Sequence, residues 1–168
     1  MAKIDSGGGG GGGRIRPLSA TLSLLNAADG SAQVSTGDST VLVAVYGPTA
    51  ATGRVARAAH DRCAISVTFR PAKGLPGTLE AERASIVRNA LEAVVLRTAH
   101  PGSVINVVAQ VVSEDGGSSV LASAMNAACL ALVDAGIPMS SMLCAGSLHY
   151  VAGGGEFCCF ASRARGGA

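Results

Sequence analysis

Apolar positions in this chain follow two rhythms, one of two residues and one of three to four. Over Ala64–Arg70, Ile65, Val67 and Phe69 point one way while Ser66, Thr68 and Arg70 point the other, which predicts a strand with one core face and one wet face. Val41–Tyr46 is a β-branched run and predicts a second strand; Leu18–Leu25 and Ala32–Ser35 predict two more. The turns Asn26–Gly30 and Thr36–Asp38 between them predict an antiparallel meander. Ile86, Val87, Ala90, Leu91, Val94 and Val95 form a helical stripe. The helix is predicted from Thr78, taken as its N-cap, to about Thr98, with Glu80 and Glu82 in its first turn and His100-Pro101-Gly102 beyond its end.

Val104–Val112 then reads as a central strand nearly buried on both sides, because valines surround Asn106 and Gln110 even on its second face. A second helix is predicted over Ser118–Ala135, with Gly136 as C-cap and Pro138 just beyond. Its Ala, Cys and Ser content suits close packing in the interior. The fold class is therefore α/β or α+β, a mixed sheet covered by helices on one face. Outside the domain at 14–146 lie a glycine-rich tail at 1–13, expected to be disordered, and a segment at 147–168 expected to be divergent and poorly ordered. Within the last stretch, Ala145–Val151 is a candidate strand.

Composition narrows the functional classes. The 168 residues are 48% hydrophobic but only 3% aromatic, without Trp, so the core is aliphatic and stacking platforms for bases are scarce. A net charge of +2 does not by itself indicate a nucleic-acid binder; anion binding has to come from local clustering. The five cysteines, Cys63, Cys129, Cys144, Cys158 and Cys159, have no CxxC spacing and read as small core residues of a reducing compartment. His60, His100 and His149 follow no metal or triad spacing. The N-terminus has no secretory signal, and no apolar run reaches the roughly 18 residues that span a membrane. A soluble, intracellular chain without membrane partners is expected.

One arrangement carries candidate chemistry. The Val104–Val112 strand runs into Asp115-Gly116-Gly117-Ser118-Ser119, where the second helix opens. Free N–H groups and the positive end of a helix dipole there suit a phosphate, making Gly116, Gly117, Ser118 and Ser119 candidate phosphate ligands. A glycine turn with a serine N-cap explains the same residues without chemistry. The pair Glu114-Asp115 could hold Mg2+ against a nucleic-acid phosphate, or be a solvated turn. Arg70, Lys73, Arg83 and Arg88 are candidate RNA-backbone contacts, although Arg88 and Glu92 stand at i, i+4 and can pair, and Arg97 reads as structural.

Several ordered segments resemble the RNase PH family, and within it the eukaryotic exosome ring subunits. They are Asp29-Gly30-Ser31-Ala32, Gly37-Asp38-Ser39-Thr40-Val41-Leu42, Val45-Tyr46-Gly47-Pro48, Arg70-Pro71 with Gly74-Leu75-Pro76-Gly77, Ile86-Val87-Arg88-Asn89 with Glu92–Leu96, and above all Asn126–Met139. The resemblance implies a β-α-β-α domain assembled into a ring around an RNA channel. It implies other RNase PH-like subunits, cap subunits and RNA as partners, with pairing to a second copy as a further option. It also implies RNA processing and degradation, rRNA processing and mRNA decay included, in nucleus, nucleolus and cytoplasm.

In phosphorolytic members the matching turn reads Gly, Thr or Ser, then Arg. Here Gly117 and Ser118 match, but Ser119 stands in place of the arginine, one neutral hydroxyl for a bidentate fork. Acids on strands beyond the second helix protonate the leaving group in active members; here Glu156 is the one acid after Asp134. A non-catalytic RNA-binding ring subunit is therefore expected, without cofactor. The alternative is an active nuclease, phosphorolytic or metal-dependent, using Gly117-Ser118 with inorganic phosphate or Mg2+. Family members continue well past the point where this chain diverges, near Ser147, so a C-terminally shortened form is expected.

Overall fold

The computed structural model describes residues 2–4, 16–51, 61–114, 119–150 and 155–164. Strands β1 (Ala2–Ile4), β2 (Leu18–Leu22), β3 (Gly30–Thr36), β4 (Ser39–Ala50), β5 (Ala64–Arg70) and β6 (Ser103–Ser113) form one six-stranded sheet in the order β1-β2-β3-β4-β6-β5. Neighbours are antiparallel except β5 and β6, which run parallel and are joined through helix α1 (Thr78–Val94). Helix α2 (Ser119–Asp134) follows β6, and β7 (Met142–Tyr150) pairs with β8 (Gly155–Ala164) in a separate hairpin.

The meander expected over residues 18–48 is β2-β3-β4, in continuous antiparallel register. Period-two alternation decides which face is core. Val41, Val43 and Val45 of β4 and Ile105, Val107, Ala109 and Val111 of β6 are buried, together with Ile65 and Phe69 of β5 and Ala32 and Val34 of β3. Both helices join that same cluster, through Val87 and Leu91 of α1 and through Val120, Met125 and Leu132 of α2. The expectation of helices on one face of a mixed sheet therefore holds.

Helix α2 is buried on nearly every side, because it packs against β3 and β4 on one flank and β7 on the other. Its small residues permit this. A methyl group added at Gly30 of β3 would meet the carbonyl oxygen of Ala131 and lie 2.7 Å from the Ala135 methyl. On the other flank Asn126 imitates a strand neighbour: its amide donates to the Ala145 carbonyl and accepts from the Ala145 N–H, both at 2.8 Å.

Several boundaries differ from expectation, each for a local reason. β2 stops at Leu22 because Ser23 takes a left-handed φ of 55° and donates its hydroxyl to Asp134 at 2.7 Å. β4 continues past Tyr46 to Ala50 with a register shift, and Gly47 absorbs it at a φ of 113°. The N-cap of α1 is Gly77, not Thr78; the Gly77 N–H donates to Glu80 Oε2 at 2.8 Å. α1 ends at Val94, short of Thr98, because Val95 is extended and bridges Met139 while Leu96 N–H donates to the Pro138 carbonyl.

β6 is buried on one face only: Asn106 and Val112 are exposed, so its expected burial on both sides is corrected. No second layer covers that side among the described residues. Two ends also differ. Ala2–Ile4, expected within a disordered tail, pairs with Leu18–Ala20, where the free edge of β2 offers unpaired N–H and C=O groups. Met142–Tyr150 forms β7 where Ala145–Val151 is the candidate strand, and Gly155–Ala164, within the segment expected to be poorly ordered, pairs with it as β8.

Candidate nucleic-acid interface

The parallel pair β5–β6 orients the candidate residues. Both strands deliver their C-terminal ends to one rim of the sheet: Arg70 ends β5 opposite Gln110, and Ser113 ends β6 just before Glu114. Asp115, Gly116, Gly117 and Ser118 lie outside the described residues. Ser119, the first residue of α2, is described and is 3% exposed. Its hydroxyl lies 2.8 Å from the hydroxyl of Ser39, itself fully buried at the start of β4.

A second, half-buried contact runs beside it, from Ser123 Oγ to Thr36 Oγ1 at 2.9 Å. Two turns of α2 are thus stitched to the β3–β4 hairpin by paired hydroxyls, the Ser39–Ser119 pair away from water. Ser119 faces inward and its oxygen is engaged.

The basic residues divide between the two ends of the sheet. Arg70 is exposed at the rim, and Lys73 is exposed in the following loop. That loop is held by Gln110, whose amide donates to the Pro71 carbonyl at 3.0 Å. Arg83, in the second turn of α1, lies over the Phe69 ring with its guanidinium carbon 5.9 Å from the centroid. It also reaches Glu114 Oε1 at 3.6 Å, bringing α1 to the end of β6. Arg70 and Arg83 therefore share the rim at which β6 ends.

Arg88 lies more than a turn further along α1, half exposed, with Nε 3.9 Å from Glu92 Oε1, the i, i+4 pairing its spacing predicts. Arg97 sits at the opposite end of β5. It donates to the Cys63 carbonyl at 2.9 Å and pairs with Glu92 at 3.0 Å, so its role is structural.

Electrostatics add two fixed carboxylates outside the rim. The Gly77 N–H holds the Glu80 carboxyl below its ordinary range. The Ser23 hydroxyl, followed by the Ser31 N–H, does the same for Asp134. Burial pushes the Cys129 thiol up; its sulfur accepts the Leu143 N–H at 3.3 Å. Among the described residues no group of three or more His, Cys, Asp and Glu side chains could hold a metal ion. No helix among them is long and apolar enough to cross a membrane.

Three contacts have no signature in the sequence. Ser39 reads as a turn residue, yet its partner is 80 positions away. The Arg83–Phe69 contact joins a helix to the preceding strand. Asp134 reads as a helix-end acid, yet it binds a turn 103 and 111 residues earlier.

Residues 14–138 match the profile of the 3′ exoribonuclease family, domain 1 (RNase_PH). The exosome complex exonuclease RRP46 homolog of Arabidopsis thaliana is 38% identical over 140 residues, 83% of this chain and 57% of that protein. The human exosome complex component RRP41 is 35% identical over 150 residues, 84% of this chain and 60% of that one. Among solved structures, rice (Oryza sativa) Rrp46 superposes with a TM-score of 0.73 at 39% identity, covering 79% of this chain and 62% of that chain. An archaeal exosome core chain shares the fold at a TM-score of 0.64 and 21% identity, covering 82% of this chain and 61% of its own. The chain spans a little over half the length of the curated relatives it matches.

Proposed function

The chain belongs to the RNase PH family of 3′ exoribonucleases, and from that premise we propose that it is a non-catalytic, RNA-contacting subunit of an exosome core ring. The observation that carries the non-catalytic part is the buried Ser39–Ser119 pair. Where the resemblance places an arginine fork for the attacking phosphate, this chain has a short hydroxyl turned into the core. The rim with Arg70, Lys73 and Arg83 supplies cations for an RNA backbone, in contacts that are independent of sequence and sensitive to salt.

Within the ring, the identity to RRP46 homologues supports the position of exosome component five. Its partners are then other RNase PH-like subunits, cap subunits and RNA. Its work is 3′-to-5′ RNA processing and decay in nucleus, nucleolus and cytoplasm. Reconstitution tests this reading: the full chain mixed with RNase PH-like ring subunits should co-elute as one assembly on size exclusion. Elution of the chain apart from every such subunit would contradict it.

A second reading rests on one specific observation, that the Arabidopsis and rice relatives are named exonucleases. In that reading Gly117 and Ser118 hold a phosphate, or Glu114 and Asp115 hold Mg2+. Ser118→Ala with Asp115→Ala should then abolish RNA turnover. Unchanged turnover in the double variant would remove its basis.

A further inference from the structure

The sheet side turned away from the helices has its own chemistry, and it meets the rim at Arg70. At its centre Tyr46 of β4 stands opposite Asn106 of β6, and Asn106 stands opposite Ser66 of β5, so one row crosses three strands. Directly opposed side chains in such a row are about 5 Å apart. Tyr46 is 38% exposed, and Asn106 and Ser66 are exposed beside it. The Asn106 amide makes no hydrogen bond among the described residues, although Asn126, Gln110 and the core hydroxyls are all engaged. Along β5 the exposed positions continue through Thr68 to Arg70, which carries no ion pair among the described residues. Ser66 and Arg70 are about 13 Å apart at the strand rise. The open-face positions of β5 and β6 include no carboxylate, and the nearest one to Tyr46, that of Asp29, accepts the Gly47 N–H.

We infer that this open sheet face binds single-stranded RNA, with Tyr46 stacking on one unpaired base and Asn106 reading that base's edge. An exposed ring supplies the π-face on which any base can stack. A free amide beside it has one acceptor and two donor hydrogens for a base edge. Ser66 and Thr68 offer hydroxyls to ribose or phosphate oxygens, and Arg70 supplies the cation at one end. The carboxylate of Asp29 beside Tyr46 accepts the Gly47 N–H at 2.7 Å, so the cation that meets the RNA backbone is Arg70, at the far end of the row. A duplex hides its base faces and edges, so the face selects unpaired strands. The inference rests on the RNA-contacting reading through Arg70 but does not depend on ring membership.

Fluorescence anisotropy of the full chain with a fluorescein-labelled single-stranded oligoadenylate, over a salt series, tests it. Tyr46→Ala should weaken binding about tenfold without changing the slope against salt, because tyrosine releases no counterions. Tyr46→Phe keeps the ring and should bind like the wild type. Arg70→Ala should lower the salt slope by about one. Asn106→Asp, which replaces an exposed amide and does not rely on the Tyr46 variant folding, should also weaken binding. A labelled duplex should be indifferent to Tyr46→Ala. Equal binding by wild type, Tyr46→Ala and Asn106→Asp would overturn the inference. So would release of the oligoadenylate when RNase PH-like ring subunits are added, since that would assign the face to protein. Neither result touches co-elution with ring subunits, so the two readings fail separately.

Discussion

Asp134 ties the end of α2 to the turn after β2 through Ser23 and Ser31, and both bonds favour its charged form. A carboxyl held below its ordinary value contributes stability that is present above that value and is lost as pH falls through its lowered folded value. Asp134→Asn should therefore melt below the wild type near neutral pH, and the gap should close below about pH 4 in thermal melts over a pH series. Glu80 has the same sign, through the Gly77 N–H. Ser119 allows a sharper test. Arginine there would restore the residue that the family resemblance expects, but it would place a cation in a site 3% exposed and filled by Ser39. Ser119→Arg should lose about 3–5 kcal/mol in denaturant titrations, without gaining phosphate binding.

At the scale of elements, close approach to α2 is what joins sheet and hairpin. Asn126→Ala removes both bonds to Ala145 and leaves its N–H and C=O unpaired, at a cost of about 1–3 kcal/mol in chemical denaturation. Gly30→Ala should cost a similar amount, about 1–3 kcal/mol, because the new methyl would meet Ala131 and Ala135 of the helix. How legible these elements were depends on the range of the interactions that define them. Ala64–Arg70 alternates cleanly, and its strand has the predicted bounds. The α1 stripe predicts the helix and its core face, but not its end, which a bridge to Met139 sets from 44 residues away. β6 read as two-sided because its outer valines resemble core, and no local pattern shows whether a second layer exists. The sequence carries a strand candidate for β7 at Ala145–Val151, whereas β8 begins next to a glycine run that carries little strand signal.

For the molecule as a whole, the family and its sheet-and-helix scaffold were readable from Asn126–Met139 and the shorter motifs, since several agree in order across the chain. The site was less so. Residue types identified the rim arginines, but the burial of Ser119 depends on a contact with Ser39 that spacing cannot reveal. One aromatic in an apolar strand reads as core, and only the register of β4 against β6 places Tyr46 on the open face. We propose that the phosphate turn implied by the family resemblance is silent in this chain. Incubation of the purified protein with single-stranded RNA and inorganic phosphate, followed by chromatography for nucleoside diphosphates, tests it most directly. The RNA should be recovered intact, with no nucleoside diphosphate above a protein-free control; phosphate-dependent release of nucleoside diphosphates would contradict it.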